Sequence, residues 1–215
     1  MKTKKMKILI IILIVVLVLA VGGYIFYSNF YRFPEKFRDL KNNSLSADEV
    51  EKLKEDILKK DNVKILVTYY SYSGTTKGVA KELSDHIGAD QFEIKTEEEY
   101  SNVYIQANRQ IRKKTLPKLV GSPEKLDEYD IVFVGYPVWW HATPTAINAF
   151  LESNDLKGKL VIPFCTSGGS DIDETMPTFL DSCDGLAVDK GKTLSGMNDI
   201  KSWIKDLGLE SIIKK

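Results

Sequence analysis

The sequence predicts an α/β protein built on an open, doubly wound sheet of five parallel strands. Three observations carry this. From Val63 onward, apolar runs of strand length alternate with amphipathic helix patterns. The third run, Ile131-Val132-Phe133-Val134-Gly135, is apolar throughout, as a parallel strand covered on both faces must be. Polar turns follow the first, third and fourth runs, at the edge where such sheets bind ligands.

The elements follow in order. Val63–Tyr70 is the first strand, and Val79, Leu83 and Ile87 mark the helix after it. A short second strand covers Gln91–Lys95, and a helix about Val103–Ile111. After the third strand, Thr143 as cap and Pro144 in the first turn open a helix with Ile147, Phe150 and Leu151 on its buried face. The fourth strand is Lys159–Cys165, and the helix from about Thr175 carries Met176, Phe179 and Leu180. A fifth strand lies near Gly185–Asp189. Ile200, Trp203, Ile204 and Leu207 define the last helix.

Ahead of this region the chain changes character. Lys2, Lys4, Lys5 and Lys7 form a basic head, and Ile8 to Tyr27 runs without a charge. Such a helix spans roughly 30 Å, the hydrocarbon thickness of a bilayer. Tyr24, Phe26, Tyr27, Phe30 and Tyr31 sit where an interfacial aromatic belt would lie. The run is long for a cleaved signal peptide, the rival reading, whose cleavage site would be Ala20-Val21-Gly22. An uncleaved anchor with its N-terminus inside puts the following domain on the outer face of the membrane, although Arg32, Lys36 and Arg38 flank the other end. Residues 28–61 read as a stalk. Its capping box, Ser46-Ala47-Asp48-Glu49, starts a helix of about 13 residues striped by Val50, Leu53, Ile57 and Leu58. That helix either packs on the domain or stands free. The expected organisation is head and anchor over 1–27, stalk over 28–61, an α/β domain over 62–208 and a tail over 209–215.

Charge is balanced overall but not evenly spread. Residues 1–61 carry 12 Lys/Arg against 8 Asp/Glu, and residues 62–208 carry 16 against 21. A mildly acidic domain argues against a nucleic-acid partner. Cys165 and Cys183 read as buried thiols, with a bridge possible if the domain is outside. A phosphatase loop needs C-x5-R, and Asp171 occupies the last place. The sequence shows no metal-ligand cluster.

The three turns carry the chemistry. Ser71-Tyr72-Ser73-Gly74-Thr75-Thr76 joins a strand to a helix N-terminus, where backbone N–H groups and the helix dipole favour an anion. It matches neither the Walker pattern nor the dinucleotide fingerprint nor a nucleophile elbow. Tyr136-Pro137-Val138-Trp139-Trp140-His141 places two adjacent tryptophans after a buried strand, each with an indole N–H to satisfy. Thr166-Ser167-Gly168-Gly169-Ser170 offers backbone donors close to a ligand. A phosphate turn, an aromatic platform and an amide-rich turn together describe a flavin mononucleotide (FMN) site. An ordinary polar turn and an aromatic partner contact are the bland alternatives.

These strings, in this order and at these strand ends, resemble the flavodoxin family, in its short-chain branch. The resemblance covers about Asn62 to Gly208. It implies the strand order 2-1-3-4-5 and non-covalent FMN. By resemblance, Ser71, Ser73, Gly74, Thr75 and Thr76 hold the phosphate. Trp139 is the first choice to stack on the ring and Trp140 the second. Pro137, Val138, His141, Thr166, Ser167, Gly168 and Gly169 line the remainder. Relatives with Pro-x-Trp-Trp usually have glycine next, where this chain has His141. A side chain there bears on the backbone flip by which flavodoxins accept a proton at flavin N5. It also adds a titratable group near the ring. No side-chain acid or base is expected to be catalytic, because the redox chemistry belongs to the flavin. The implied role is electron transfer at the membrane, with a protein partner or a small-molecule acceptor. An NAD(P)H-dependent quinone or nitro reductase is one alternative, and a flavin-free binding or scaffold module is the other.

Overall fold

The computed structural model describes residues 2–30 and 39–213. Tyr31, Arg32, Lys36 and Arg38, which bear on the anchor and its orientation, lie outside them. The chain divides into two units, Met1–Arg38 and Asp39–Lys215.

The first unit is helix α1, Lys2–Phe30. Its stretch Lys4–Tyr27, 24 residues, is long and apolar enough to cross a membrane, and the large apolar side chains along it are exposed.

In the second unit, strands β1 (Ile65–Tyr69), β2 (Asp90–Glu93), β3 (Ile131–Pro137), β4 (Leu160–Thr166) and β5 (Ala187–Val188) form a parallel sheet in the order β2-β1-β3-β4-β5. This is the expected order. β1, β3 and β4 are buried along their length, apart from the half-buried Pro137 that ends β3. Their alternate residues feed two cores. Ile65, Val67, Tyr69, Phe133 and Ile162 face one, with α2 (Ala47–Leu58), α3 (Thr75–Ile87) and α7 (Met197–Asp206). Leu66, Tyr70, Val132, Val134 and Tyr136 face the other, with α5 (Thr145–Ser153) and α6 (Met176–Leu180). Helix α4 (Val103–Lys113) packs beside α5. Gly135 of β3 lies beside Phe164 of β4, and a Cβ there would fall 2.2 Å from the Phe164 Cζ, a clash.

Two boundaries differ from the sequence reading. The fifth strand stops at Val188 and pairing with β4 resumes in a two-residue β6, Lys192–Thr193. Opposite the break stands Pro163, which has no N–H to donate, while the flanking carbonyls of Val161 and Cys165 accept from Asp189 and Leu194. Helix α5 is capped by Pro144, not by Thr143. Pro144 itself is extended, with ψ 135°, so the helix begins one residue later, at Thr145. Thr143 is buried instead, its N–H donating to Thr178 Oγ1 at 2.9 Å and its hydroxyl to the Thr175 carbonyl at 3.2 Å.

Of the two options open for the helix at 47–58, the packed one is observed. Ser46 N–H and Oγ both donate to the Glu49 carboxylate, at 2.9 and 2.6 Å, which closes the capping box and holds that carboxyl below its usual range. Val50 and Ile57 are buried in the first core. Lys54 Nζ meets Asp189 Oδ2 at 2.9 Å, both side chains only 10% exposed. Leu209 in the segment after α7 is buried as well.

Removing one partner of a buried ion pair strands the other's charge, at a cost of about 3–5 kcal/mol. Lys54→Met should therefore lower the urea midpoint of the domain by that equivalent. Lys54→Met with Asp189→Leu should recover most of the loss. A single variant as stable as the parent would show that the pair does not fasten α2.

Candidate functional site

The three turns meet at the carboxyl edge of the sheet. Gly74 stands at the cap of α3 with φ +90°, which an L side chain adopts only with strain. Ser71 Oγ accepts from the amides of Gly74 and Lys77, both at 3.2 Å, and so folds the loop around the helix start. Ser73 and Thr75 share a hydrogen bond at 3.2 Å between exposed hydroxyls. Thr76 is different. It is buried, and its Oγ1 lies 2.8 Å from Thr166 Oγ1, so its hydroxyl ties the first turn to the third. Lys77 turns its ammonium to Glu93 at 3.1 Å.

The second turn is registered on the third. Pro137 sits opposite Thr166, and Val138 N–H donates to the Thr166 carbonyl at 2.9 Å. Trp139 and Ala142 then exchange both backbone hydrogen bonds, at 3.1 and 3.0 Å. Trp140 and His141, between them, have φ +49° and +58°. That is a two-residue turn of the kind that favours Asn-Gly, built here from two bulky residues. Left-handed backbone costs roughly 1–2 kcal/mol at each such residue, and side-chain contacts offset it. Trp140 meets Tyr104 edge to face at 6.0 Å. His141 Nδ1 pairs with Glu174 Oε2 and lies 3.3 Å from Ser170 Oγ. The imidazole holds the Glu174 carboxyl below its usual range.

Trp139 lies lower, packed on the second core. Tyr70, Tyr72 and Tyr100 contact its ring at 5.5, 6.1 and 5.5 Å, all near perpendicular. In the third turn, Ser167 Oγ accepts from the amides of Gly169 and Ser170, at 3.1 and 2.7 Å. Those two donors, expected to serve a ligand, are thus bonded within the turn. A Cβ built at Gly74, Gly168 or Gly169 would meet nothing within 4 Å, so these backbones border open space.

The structure brings together residues from all three expected turns. Sequence reasoning missed Glu174 and the tyrosines Tyr72, Tyr100 and Tyr104. The spacing of Asp171 and Glu174, a capping box like that at Ser46, was a legible signal for Glu174 as a fixed carboxylate. Cys165 and Cys183 are both free and buried, and burial pushes their thiols up to about 11 and about 12. Among the described residues there is no cluster that could hold a metal ion.

Comparison with known proteins is consistent with this geometry. A family model described as Flavodoxin matches residues 64–207. A structure assigned as a flavoprotein from Bacteroides eggerthii is 33% identical, with 69% of this chain and 100% of that chain covered and a TM-score of 0.63. One from Bacteroides uniformis is 34% identical over 67% and 99%, with a TM-score of 0.62. A flavoprotein from Lactobacillus acidophilus, solved in complex with FMN, is 27% identical over 66% and 98%, with a TM-score of 0.57. No curated protein matches the chain.

Thr76→Val leaves the Thr166 hydroxyl buried without its partner, so denaturant unfolding should show a loss of about 1–3 kcal/mol. No loss would mean that the two turns are joined by other contacts. At pH 8 neither cysteine of the native domain should react with a thiol reagent on the time scale of the unfolded chain. Fast native labelling would contradict the buried, uncharged thiols.

Proposed function

The chain belongs to the flavodoxin family, and from that premise we propose that it is an FMN-binding electron-transfer protein held at a membrane by α1. The observation that carries the reading is the loop Ser71–Thr76. Hydroxyls of Ser73 and Thr75 stand exposed at the first turn of α3, and Ser71 already organises that turn. Such a site suits a phosphate dianion without a metal or a lysine. The residues present fit FMN also at its ring end. Open space borders Gly168 and Gly169, and the Trp139–Trp140 pair lies on the adjoining turn.

Bound FMN supplies reversible uptake of one or two electrons. The chain's own residues bind and orient. Ser73, Thr75 and the α3 amides hold the phosphate, and Thr76 holds the phosphate loop against Thr166. Trp140 and Trp139 offer the aromatic surface beside the ring. His141, fixed by Glu174 and Ser170, occupies the tip of the turn where relatives usually carry glycine. It forms the polar rim of the site.

The apolar helix and the lysines before it support an anchored chain with its N-terminus inside and the flavodoxin domain on the outer face. The NAD(P)H-reductase reading shares the cofactor and differs in turnover.

Purified chain incubated with FMN and desalted should retain flavin absorption. Losing one hydroxyl to a charged phosphate costs about 1.5–3 kcal/mol. Thr75→Val should therefore weaken FMN by roughly ten- to a hundredfold. A colourless protein would leave the fold as a binding or scaffold module. With NADH or NADPH and a soluble quinone, steady-state turnover should not exceed that of free FMN. Rapid turnover would identify a reductase instead.

A further inference from the structure

A second concavity opens beside the phosphate loop, on its β2 side. It has a volume of about 610 Å³, within the usual range for a small-molecule site. Its walls include Tyr70, Tyr72 and Tyr100, with Glu93, Lys95 and Glu99 at the mouth. Of the residues assigned to the flavin, only Ser71 reaches it. Thr75, Thr76, Trp140, His141 and the turn Thr166–Gly169 lie outside its lining. The cleft is therefore a separate place that shares a wall with the flavin site.

The lining selects its occupant. The three tyrosine rings all stand edge-on or face-on to Trp139, which locks their orientation. Tyr70 is buried, and Tyr72 is half exposed. Burial, with the neighbouring phenols of Tyr100 and Tyr72, pushes the Tyr70 phenol well above its ordinary value, so it stays a neutral O–H donor. Preorganised aromatic walls favour a planar π system. The Tyr100 hydroxyl donates to Gln110 Oε1 at 2.6 Å, so donation to a ligand's carbonyl oxygens falls to the phenols of Tyr70 and Tyr72. The charges at the mouth, two carboxylates and two lysines, balance, which favours an uncharged ligand. Glu93 is occupied by Lys77 at 3.1 Å and Lys95 at 3.7 Å, and Glu99 adds a further carboxylate at the mouth. A phosphate-bearing nucleotide would meet that carboxylate.

We propose that this cleft binds a planar, uncharged, carbonyl-bearing ring of the quinone class, packed on the Tyr70–Tyr72–Tyr100 wall and adjoining the flavin site at Ser71. The cleft stands on its own geometry, and an electron-acceptor role for its ligand rests on the flavin reading above. The same ring chemistry is available from two sources, a water-soluble quinone and an isoprenoid quinone dissolved in a bilayer.

The test uses the full chain in lipid nanodiscs, titrated calorimetrically with duroquinone against empty nanodiscs. Saturable binding is expected with or without FMN. Tyr72→Ala, at a half-exposed position that leaves the core intact, should weaken it about tenfold. Ile105→Ala, at an exposed position outside the lining, should leave it unchanged. An isoprenoid benzoquinone carried in the nanodisc that displaces duroquinone would place the source in the bilayer. Failure to displace, with duroquinone still bound, would place it in water. No saturable binding, or an affinity indifferent to Tyr72→Ala, would overturn the proposal. Displacement by NADH would overturn the assigned class, and competition by FMN would make the cleft part of the flavin site. Duroquinone binding by a chain that takes up no FMN would sink the flavin reading and leave the cleft standing.

Discussion

The site depends on the pairing of β3 with β4 along their whole length, from Ile131 opposite Leu160 to Pro137 opposite Thr166. β3 and β4 end at the same register, so the turns that follow them emerge side by side at the carboxyl edge. Gly135 allows the Phe164 ring to fill the space where its own side chain would stand. That close approach sets how β3 and β4 nest. Thr166 is the point where the register becomes a site. Its carbonyl receives Val138 from the second turn, and its hydroxyl meets Thr76 from the first. One residue at the end of β4 thus fixes the relative positions of all three turns.

Around that point the local conformations are costly and are held by contacts from outside. Trp140 and His141 occupy left-handed backbone that glycine would adopt freely. Tyr104 from α4 supports the first, and Glu174 and Ser170 after β4 support the second. Exposed ion pairs contribute little to stability, so the value of His141–Glu174 lies in fixing the turn. A strained turn over-determined by its surroundings is a common property of binding sites. It shifts the physical question from which residues touch a ligand to which residues hold the backbone that does.

Much of this was legible in the sequence. Ile131–Val134 and Leu160–Phe164 read as buried strands because every residue is apolar, and the hydroxyl turn announced itself by composition. The β5–β6 break was not legible, because it depends on Pro163 of the neighbouring strand facing the edge. The Thr143 cap was misplaced because local preference names threonine as a cap, while its N–H and hydroxyl are taken by Thr178 and Thr175 of a distant segment and Pro144 stays extended. Packing of α2 could not be read from its narrow stripe. One contact it makes there, Lys54 with Asp189, joins residues far apart in sequence. Tyr70, Tyr72 and Tyr100 surround Trp139 only because β1, the loop after β2 and the turn after β3 converge, and no spacing in the chain encodes that.

The central claim is that the Ser71–Thr76 turn reads a phosphate and thereby selects the cofactor. The direct measurement compares equilibrium affinities of the purified chain for FMN and for riboflavin, which differ only in that phosphate. Charge-assisted hydrogen bonds from two hydroxyls and a helix start are each worth about 1.5–3 kcal/mol. FMN should therefore bind at least about a hundredfold more tightly. Equal affinities would contradict the account, because the turn would then be an ordinary loop and the flavin would be held by its ring alone.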